Sequence, residues 1–334
     1  MATSQPIIIR RREVTDDELR QMLIAAAAAG EDDFFGRFEY FIPDDPFTTL
    51  MRGEALLSRC GALEPAAYAK LRKGTPFYWL TWGALEVHDY ETAAFYIDAA
   101  VSEDLRGADD SGVDRTAVRT PALLFFLIDD SSTAQALLPY VKQLRARIDS
   151  AVNDYKVRPD AEPTPIDLQS YLLRKAILKG NEHLRTLVTT FMSFLLEWDH
   201  RSKLIALRTE PGTAEPFFIH LFKGCVLFES PLKANPNKPP QKDMLVSILE
   251  ELWPSLSFAG KRRDSASGYT FQQVINNLPS DDTSVCTAVV RTARIRNTTG
   301  HNLGWQASLS SAEYNSLAAY VASSCLHAVA CLYK

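Results

Sequence analysis

The sequence predicts an all-α protein of two helical domains, and three observations carry that expectation. Glycine and proline number only 15 and 18 in 334 residues and are sparse inside the long segments, where alanine and leucine dominate. Apolar residues in those segments recur at three- and four-residue spacing, the period of one helix face. The length exceeds what one small helical core organises, and Pro159, Pro163 and Pro165 mark a boundary near the middle of the chain. The expected units are residues 1–160, a domain of helical hairpins, and residues 165–334, a helical bundle.

Each element has a local reason. Asp16, Asp17 and Glu18 form an acidic first turn, which suits the positive end of a helix dipole, ahead of Leu19, Met22, Leu23 and an alanine run that stops at Gly30. Residues 34–46 are aromatic and broken by prolines, so a packed loop is expected. Short helices are expected over 54–63 and 66–73, with Pro65 at a favoured first position and Gly74 as a stop. Residues 77–100 read as a helical hairpin turning at His88-Asp89. Its Asp89-Tyr90-Glu91-x-Ala93 segment resembles one tetratricopeptide unit, but Thr81 stands where that repeat has a small glycine. No second copy follows, so a stacked array is not expected. The hairpin's aromatic residues lie among Glu86, Asp89, Glu91 and Asp98, a setting for helix packing rather than base stacking. Residues 107–121 read as a loop and 134–155 as a long amphipathic helix with Leu137, Leu138, Val141, Leu144 and Ile148 on one side. Beyond the prolines, helices are expected over 166–179, 182–198, 217–233, 244–252, 271–276, 283–295 and 314–332, with breaks at 209–212 and 234–242.

Composition narrows the chemistry. At 46% hydrophobic and 23% charged residues the chain has the balance of an ordinary globular protein. The Ile7-Ile8-Ile9 run precedes its arginines and is too short for a secretion signal, and no run of about 20 apolar residues stands out as a bilayer span, so a cytoplasmic location away from membranes is expected. Cys60, Cys225, Cys286, Cys325 and Cys331 are scattered and odd in number, which indicates neither a disulfide framework nor a zinc site. Residues 1–165 hold 18 Lys+Arg against 27 Asp+Glu, whereas residues 166–334 hold 18 against 14. The basic excess concentrates in Lys261, Arg262 and Arg263 and in Arg291, Arg294 and Arg296, which makes these the candidate contacts to a polyanion such as RNA. A run of three charges is equally a solvated loop. Nucleophile-elbow, phosphate-loop, dinucleotide and zincin motifs are all missing, and carboxylates do not cluster as a two-metal nuclease requires. No cofactor is therefore expected, and a metal-independent route is what remains for a phosphodiester.

The most specific chemistry lies in Arg294-Ile295-Arg296-Asn297-Thr298-Thr299-Gly300-His301-Asn302. Arginine offers a fixed fork of donors to phosphate oxygens, and histidine, with an unperturbed pKa of about 6.5, takes and returns a proton. Arg296-Asn297-x-x-x-His301, placed ahead of an apolar C-terminal helix, resembles the Arg-polar-x(3–5)-His motif of HEPN domains, all-helical modules of many prokaryotic toxin and antiviral ribonucleases. The resemblance covers roughly residues 165–334. It implies an endoribonuclease that uses the RNA 2'-hydroxyl as nucleophile, with Arg296 steadying the phosphate, His301 as general base or acid and Asn297 orienting either group. It also implies a homodimer in which two motifs meet at one cleft, with Glu229 and Lys233 approaching from an earlier helix and a regulatory partner or antitoxin at the acidic N-terminal domain.

Elementary geometry constrains that reading. Residues five apart on a continuous α-helix are rotated by roughly 140°, so Arg296 and His301 would not share a face. Either Gly300 breaks the helix or a second chain completes the site. Three competing readings stay open: Arg296 and Asn297 capping a helix end with His301 in a loop, a catalytically silent HEPN dimerisation module, and a helical scaffold whose aromatic hairpin docks a protein.

Overall fold

A computed structural model of the chain describes residues 7–9, 12–130, 135–162, 182–208, 212–234, 245–253, 272, 283–301 and 308–332. The helix expected over 166–179, that over 271–276 apart from Gln272, the stretch 235–242, and Pro163 and Pro165 lie outside these residues. The described chain is all-α apart from one short hairpin that the sequence did not announce. There β1 (Ile7–Ile9) pairs antiparallel with β2 (Arg12–Val14), with buried Ile7 opposite buried Val14. Three-residue strands are too short to show a period.

The chain divides into two compact units, Met1–Gln143 with Leu173–Thr189, and Leu144–Leu172 with Thr190–Lys334. In the first, α1 (Asp16–Ala29) begins with a reciprocal cap: the Glu18 amide donates to Thr15 Oγ1 at 3.3 Å, and the Thr15 amide donates to Glu18 Oε2 at 2.9 Å. It ends at Gly30, whose φ of 65° is left-handed and suits a residue without Cβ. Residues 34–41 form two 3₁₀ turns, burying Phe34, Phe35, Phe38, Tyr40 and Phe41, so the expected loop is indeed packed. The next helix, α2 (Pro46–Leu63), starts well before residue 54 because Pro46 occupies its first position, where a missing N–H costs nothing, behind the capping carboxylate of Asp45.

After α3 (Pro65–Lys70) comes α4 (Gly74–Glu86), so Gly74 begins a helix rather than stopping one. A Cβ at Gly74 would collide with the Asp104 carboxylate, which explains the glycine by close approach rather than by a helix end. The hairpin α4–α5 (Tyr90–Asp110) turns where expected: His88 takes φ 61°, and Asp89 caps α5 by accepting from the Thr92 amide at 3.1 Å. α5 reaches Asp110, into the stretch expected as a loop. Tyr78, Trp82, Tyr90 and Tyr96 are buried and Phe95 is exposed, while Tyr96 donates to Glu54 at 2.7 Å and ties α5 to α2. α6 (Pro121–Phe126) closes this set with five buried residues.

The second unit takes in most of α7 (Leu138–Lys156) and α8 (Glu182–Ala206), followed by α9 (Glu215–Ala234), α10 (Leu245–Leu252), α11 (Val285–His301) and α12 (Ser311–Leu332). α9, α11 and α12 pack against one another. α12 is long and apolar enough to cross a membrane by length and composition, yet 67% of its apolar window is buried in this bundle, the placement of a core helix. Packing is tightest at Gly224 of α9, where a Cβ would lie 2.5 Å from Phe194 and from Val321.

Those side chains are themselves enclosed and have little room to retreat. Gly224→Ala should therefore destabilise this unit by about 1–3 kcal/mol despite alanine's better helix propensity. Chemical denaturation of the full chain tests this, and a stabilised variant would show that the seam is looser than described.

A clamped arginine at the junction of three helices

The site begins with a carboxylate where none is expected to stand alone. Glu229 lies on α9 toward α11 and is 6% exposed. Arg296 of α11 grips it with two prongs, Nε to Oε2 at 2.8 Å and Nη2 to Oε1 at 3.3 Å. Lys233, one turn along α9, adds a third contact at 2.7 Å from Nζ to Oε1. Burial raises the Glu229 pKa, but hydrogen bonds from Lys233 and Arg296 and the two positive charges outweigh it and hold the group below its ordinary range. Glu229 is thus ionised at neutral pH, and the cluster carries one positive charge more than it neutralises.

Arg296 is not consumed by this clamp. A third bond runs from Nη1 to Asn297 Oδ1 at 3.4 Å, so three of the five N–H donors of the guanidinium are engaged among the described residues, and the side chain is 33% exposed. The structure therefore brings four of the sequence-selected residues together: Arg296, Asn297, Glu229 and Lys233. Two of the others are placed differently. Arg291 is 3% exposed, so it sits inside the bundle and is no surface contact for a polyanion, and Arg294 is half-buried. The triad Lys261, Arg262 and Arg263 lies outside the described residues, as does the His301 side chain.

The backbone at His301 is described and settles one question. α11 runs without interruption from Val285 to His301, so Gly300 is no break, and Arg296 and Asn297 lie within the helix rather than capping it. A glycine costs only about 1 kcal/mol in a helix, less than α11 recovers by packing on α9 and α12. Positions 296 and 301 are consequently roughly 140° apart around the helix axis.

α11 is positioned by partners far away in sequence. Asp160, at φ 62°, accepts from the Val285 amide at 2.8 Å and the Cys286 amide at 3.4 Å, capping the helix from outside. Arg158 bonds the Thr283 carbonyl and Ser323 Oγ of α12, both at 2.8 Å, and Thr292 pairs with Ser324 at 2.9 Å. These contacts fix the rotation of α11 and hence the direction of Arg296.

The buried histidines have structural partners. His220 is fully buried, stacked on Phe194 at 4.3 Å between ring centroids, and bonded to the Phe194 carbonyl at 3.0 Å and the Tyr314 hydroxyl at 2.9 Å. His327 meets the Tyr155 hydroxyl at 2.9 Å and the edge of Trp253. Among the described residues, no group of three or more His, Cys, Asp or Glu is placed to hold a metal ion. Sequence reading missed a second ionic cluster, in which Glu197 of α8 is held by Arg201 and by Lys223 of α9. Its one local signal is the four-residue spacing from Glu197 to Arg201. Comparison of the chain with protein-family models, curated proteins and solved structures matches none of them.

Burial pushes the His220 pKa down to about 4, against the opposing pull of Glu197. A folded-state pKa below the unfolded value of 6.5 means that stability is intact above about pH 6.5 and is lost as pH falls toward 4. The loss assigned to this one group is on the order of 3 kcal/mol. Urea unfolding from pH 7 to pH 4 should show this loss, and His220→Gln should remove that share of the slope; an unchanged slope in the variant would refute the assignment.

Proposed function

We propose that the protein is a metal-independent endoribonuclease of HEPN type, acting as a toxin or antiviral effector in the cytoplasm. The observation that carries this reading is the clamp itself: a guanidinium fixed in direction by a buried carboxylate, partly open to solvent, with a net positive charge at the site. Such preorganisation is what a catalyst needs where negative charge develops on a phosphate, because the donors are aimed in advance and need no reorganisation during the step. Lys233 adds to the positive field. His301, at the end of the same helix, supplies the proton carrier, with Asn297 beside the arginine as the orienting amide. RNA brings its own nucleophile, so the 2'-hydroxyl attacks the adjacent phosphorus, the 5'-oxygen leaves, and a 2',3'-cyclic phosphate forms.

The uninterrupted helix bears on how the groups meet. With Arg296 and His301 on different faces, a second chain related by a two-fold axis supplies the matching partner, and the cleft is composite. The acidic first unit is then the place for a regulatory protein or antitoxin. One observation favours the silent adaptor reading instead: a bidentate Arg–Glu pair is also what a purely structural seam would use. The fate of RNA decides between the two.

Purified protein should cut single-stranded RNA in the presence of EDTA, leave cyclic phosphate ends and spare DNA. His301→Ala should lose at least about a hundredfold in rate, within the range of general acid–base catalysis. Removing Arg296 leaves Glu229 to Lys233 alone and risks unfolding, so Arg296→Lys is the informative companion: it keeps the charge, loses the fork, and should stay folded but slow. Wild-type cleavage by a folded His301→Ala chain, or activity lost in EDTA and restored by magnesium, sinks the mechanism.

The composite cleft has its own test. Light scattering should report a dimer, and mixing Arg296→Lys chains with His301→Ala chains should regain part of the lost activity through one intact cleft. A monomer that cleaves at full rate would remove the two-fold arrangement and leave the chemistry standing.

A further inference from the structure

The neglected cluster on α8 and α9 has the same construction as the clamp at Arg296. Glu197 is 8% exposed and accepts from Lys223 Nζ at 2.9 Å and from Arg201 Nε at 2.7 Å. Each of the two clamps therefore sets two cations against one buried carboxylate.

Both clamps edge the same face of α9. At about 100° per residue, Lys223 and Glu229 lie roughly 60° to either side of Val226, with Ser230 and Lys233 between those limits. The centre of this face is apolar: Ile219 is 48% and Val226 41% exposed, with half-buried Phe222 beside them. Along the helix axis, Lys223 and Lys233 stand about 15 Å apart. Cations at both edges with apolar and aromatic surface between them suit a flexible polyanion whose bases offer flat apolar faces. They do not suit a second copy of the same face, which would bring like charges together.

We propose that this face of α9, from Lys223 to Lys233 and edged by Arg201 and Arg296, is the track along which a single-stranded RNA binds. The inference rests on the ribonuclease reading in its choice of polyanion, and it places the binding surface in the bundle rather than in Lys261 to Arg263. The clamp at Glu197 holds the strand's phosphates on the α8 side. The bases lie over Val226 and Phe222. The strand then reaches Lys233 and Arg296, where the reacting phosphate sits.

The test is binding, measured apart from cleavage. Fluorescence anisotropy of a labelled, mixed-sequence single-stranded RNA of about 12 nucleotides is recorded with the full chain carrying His301→Ala, so that the strand is not consumed. Arg201→Gln should weaken binding about tenfold and reduce the salt slope by about one. Val226→Glu disturbs no ion pair, keeps the fold as judged by circular dichroism, and should also weaken binding about tenfold by setting a negative charge in mid-track. Two folded variants that bind like the parent would overturn the proposal, as would a Val226→Glu chain that loses only self-association in light scattering. A chain with no affinity for RNA overturns both the track and the nuclease. If binding responds to both substitutions as expected while the unsubstituted chain leaves RNA intact, the track stands and the nuclease reading falls.

Discussion

An ionised carboxylate buried between α9 and α11 constrains everything around it. Taking Glu229 out of water is costly, and an isolated charge there would simply acquire a proton. It remains charged because Lys233 answers it from its own helix and Arg296 from α11. The two sources differ in what they fix. Lys233 is one turn away and forms its pair wherever α9 is helical, whereas Arg296 reaches Glu229 only if α11 is docked at one height and one rotation. A two-pronged contact is more demanding than a point charge, so the seam sets the register of α11 on α9. Once that register is set, the directions of Asn297 and of the helix end at His301 follow from helical geometry.

The rest of the second unit supports this docking with contacts of a different kind. Gly224 lets Phe194 and Val321 approach the α9 backbone, and a larger residue would push α9 from its neighbours. α12 is apolar because it is the central helix, and its polar residues are satisfied inside: Ser324 by Thr292 and the Tyr320 carbonyl, Ser323 by Arg158. His220 remains neutral between the Phe194 carbonyl and the Tyr314 hydroxyl, bonding as a donor to the first and an acceptor from the second. These polar side chains are matched pair by pair, which favours one arrangement of the helices that carry them over slipped alternatives.

What could be read from sequence was whatever depends on neighbours within a turn or two. Asp16, Asp17, Glu18 and Gly30 delimit α1 by rules that act over a turn, and the His88-Asp89 turn and the Glu229 to Lys233 spacing are legible for the same reason. Failures came where a residue has two local meanings and a distant contact chooses between them. Gly74 was expected to stop a helix but begins one, because its lack of a side chain is used against Asp104, 30 residues on. Pro46 was expected in a loop and is the first residue of α2. Gly300 was a candidate break, but one unfavourable residue near a helix end does not outweigh packing along a 17-residue helix. Arg291 counted as surface charge only because composition carries no information about depth.

The candidate site shows the same division at finer scale. Its members are legible through the Arg296-Asn297-x-x-x-His301 pattern and the four-residue spacing of Glu229 and Lys233, yet the bond that joins the two sets spans positions 67 apart, and no spacing rule connects Glu229 to Arg296. The Glu197 cluster was passed over although it is built alike, because its bond to Lys223 spans 26 residues and its local half, Glu197 to Arg201, looks like any solvated pair. Burial is what separates these two carboxylates from the many surface ones. A carboxylate on a helix surface needs no partner, whereas one enclosed between helices needs compensation from more than one cation if a single bond is not to leave it undersatisfied. Two cations for one anion leave each of the two clusters with a surplus of positive charge. The surplus positive charge beside α9 is therefore a consequence of how its flanking carboxylates are buried, before any ligand is considered.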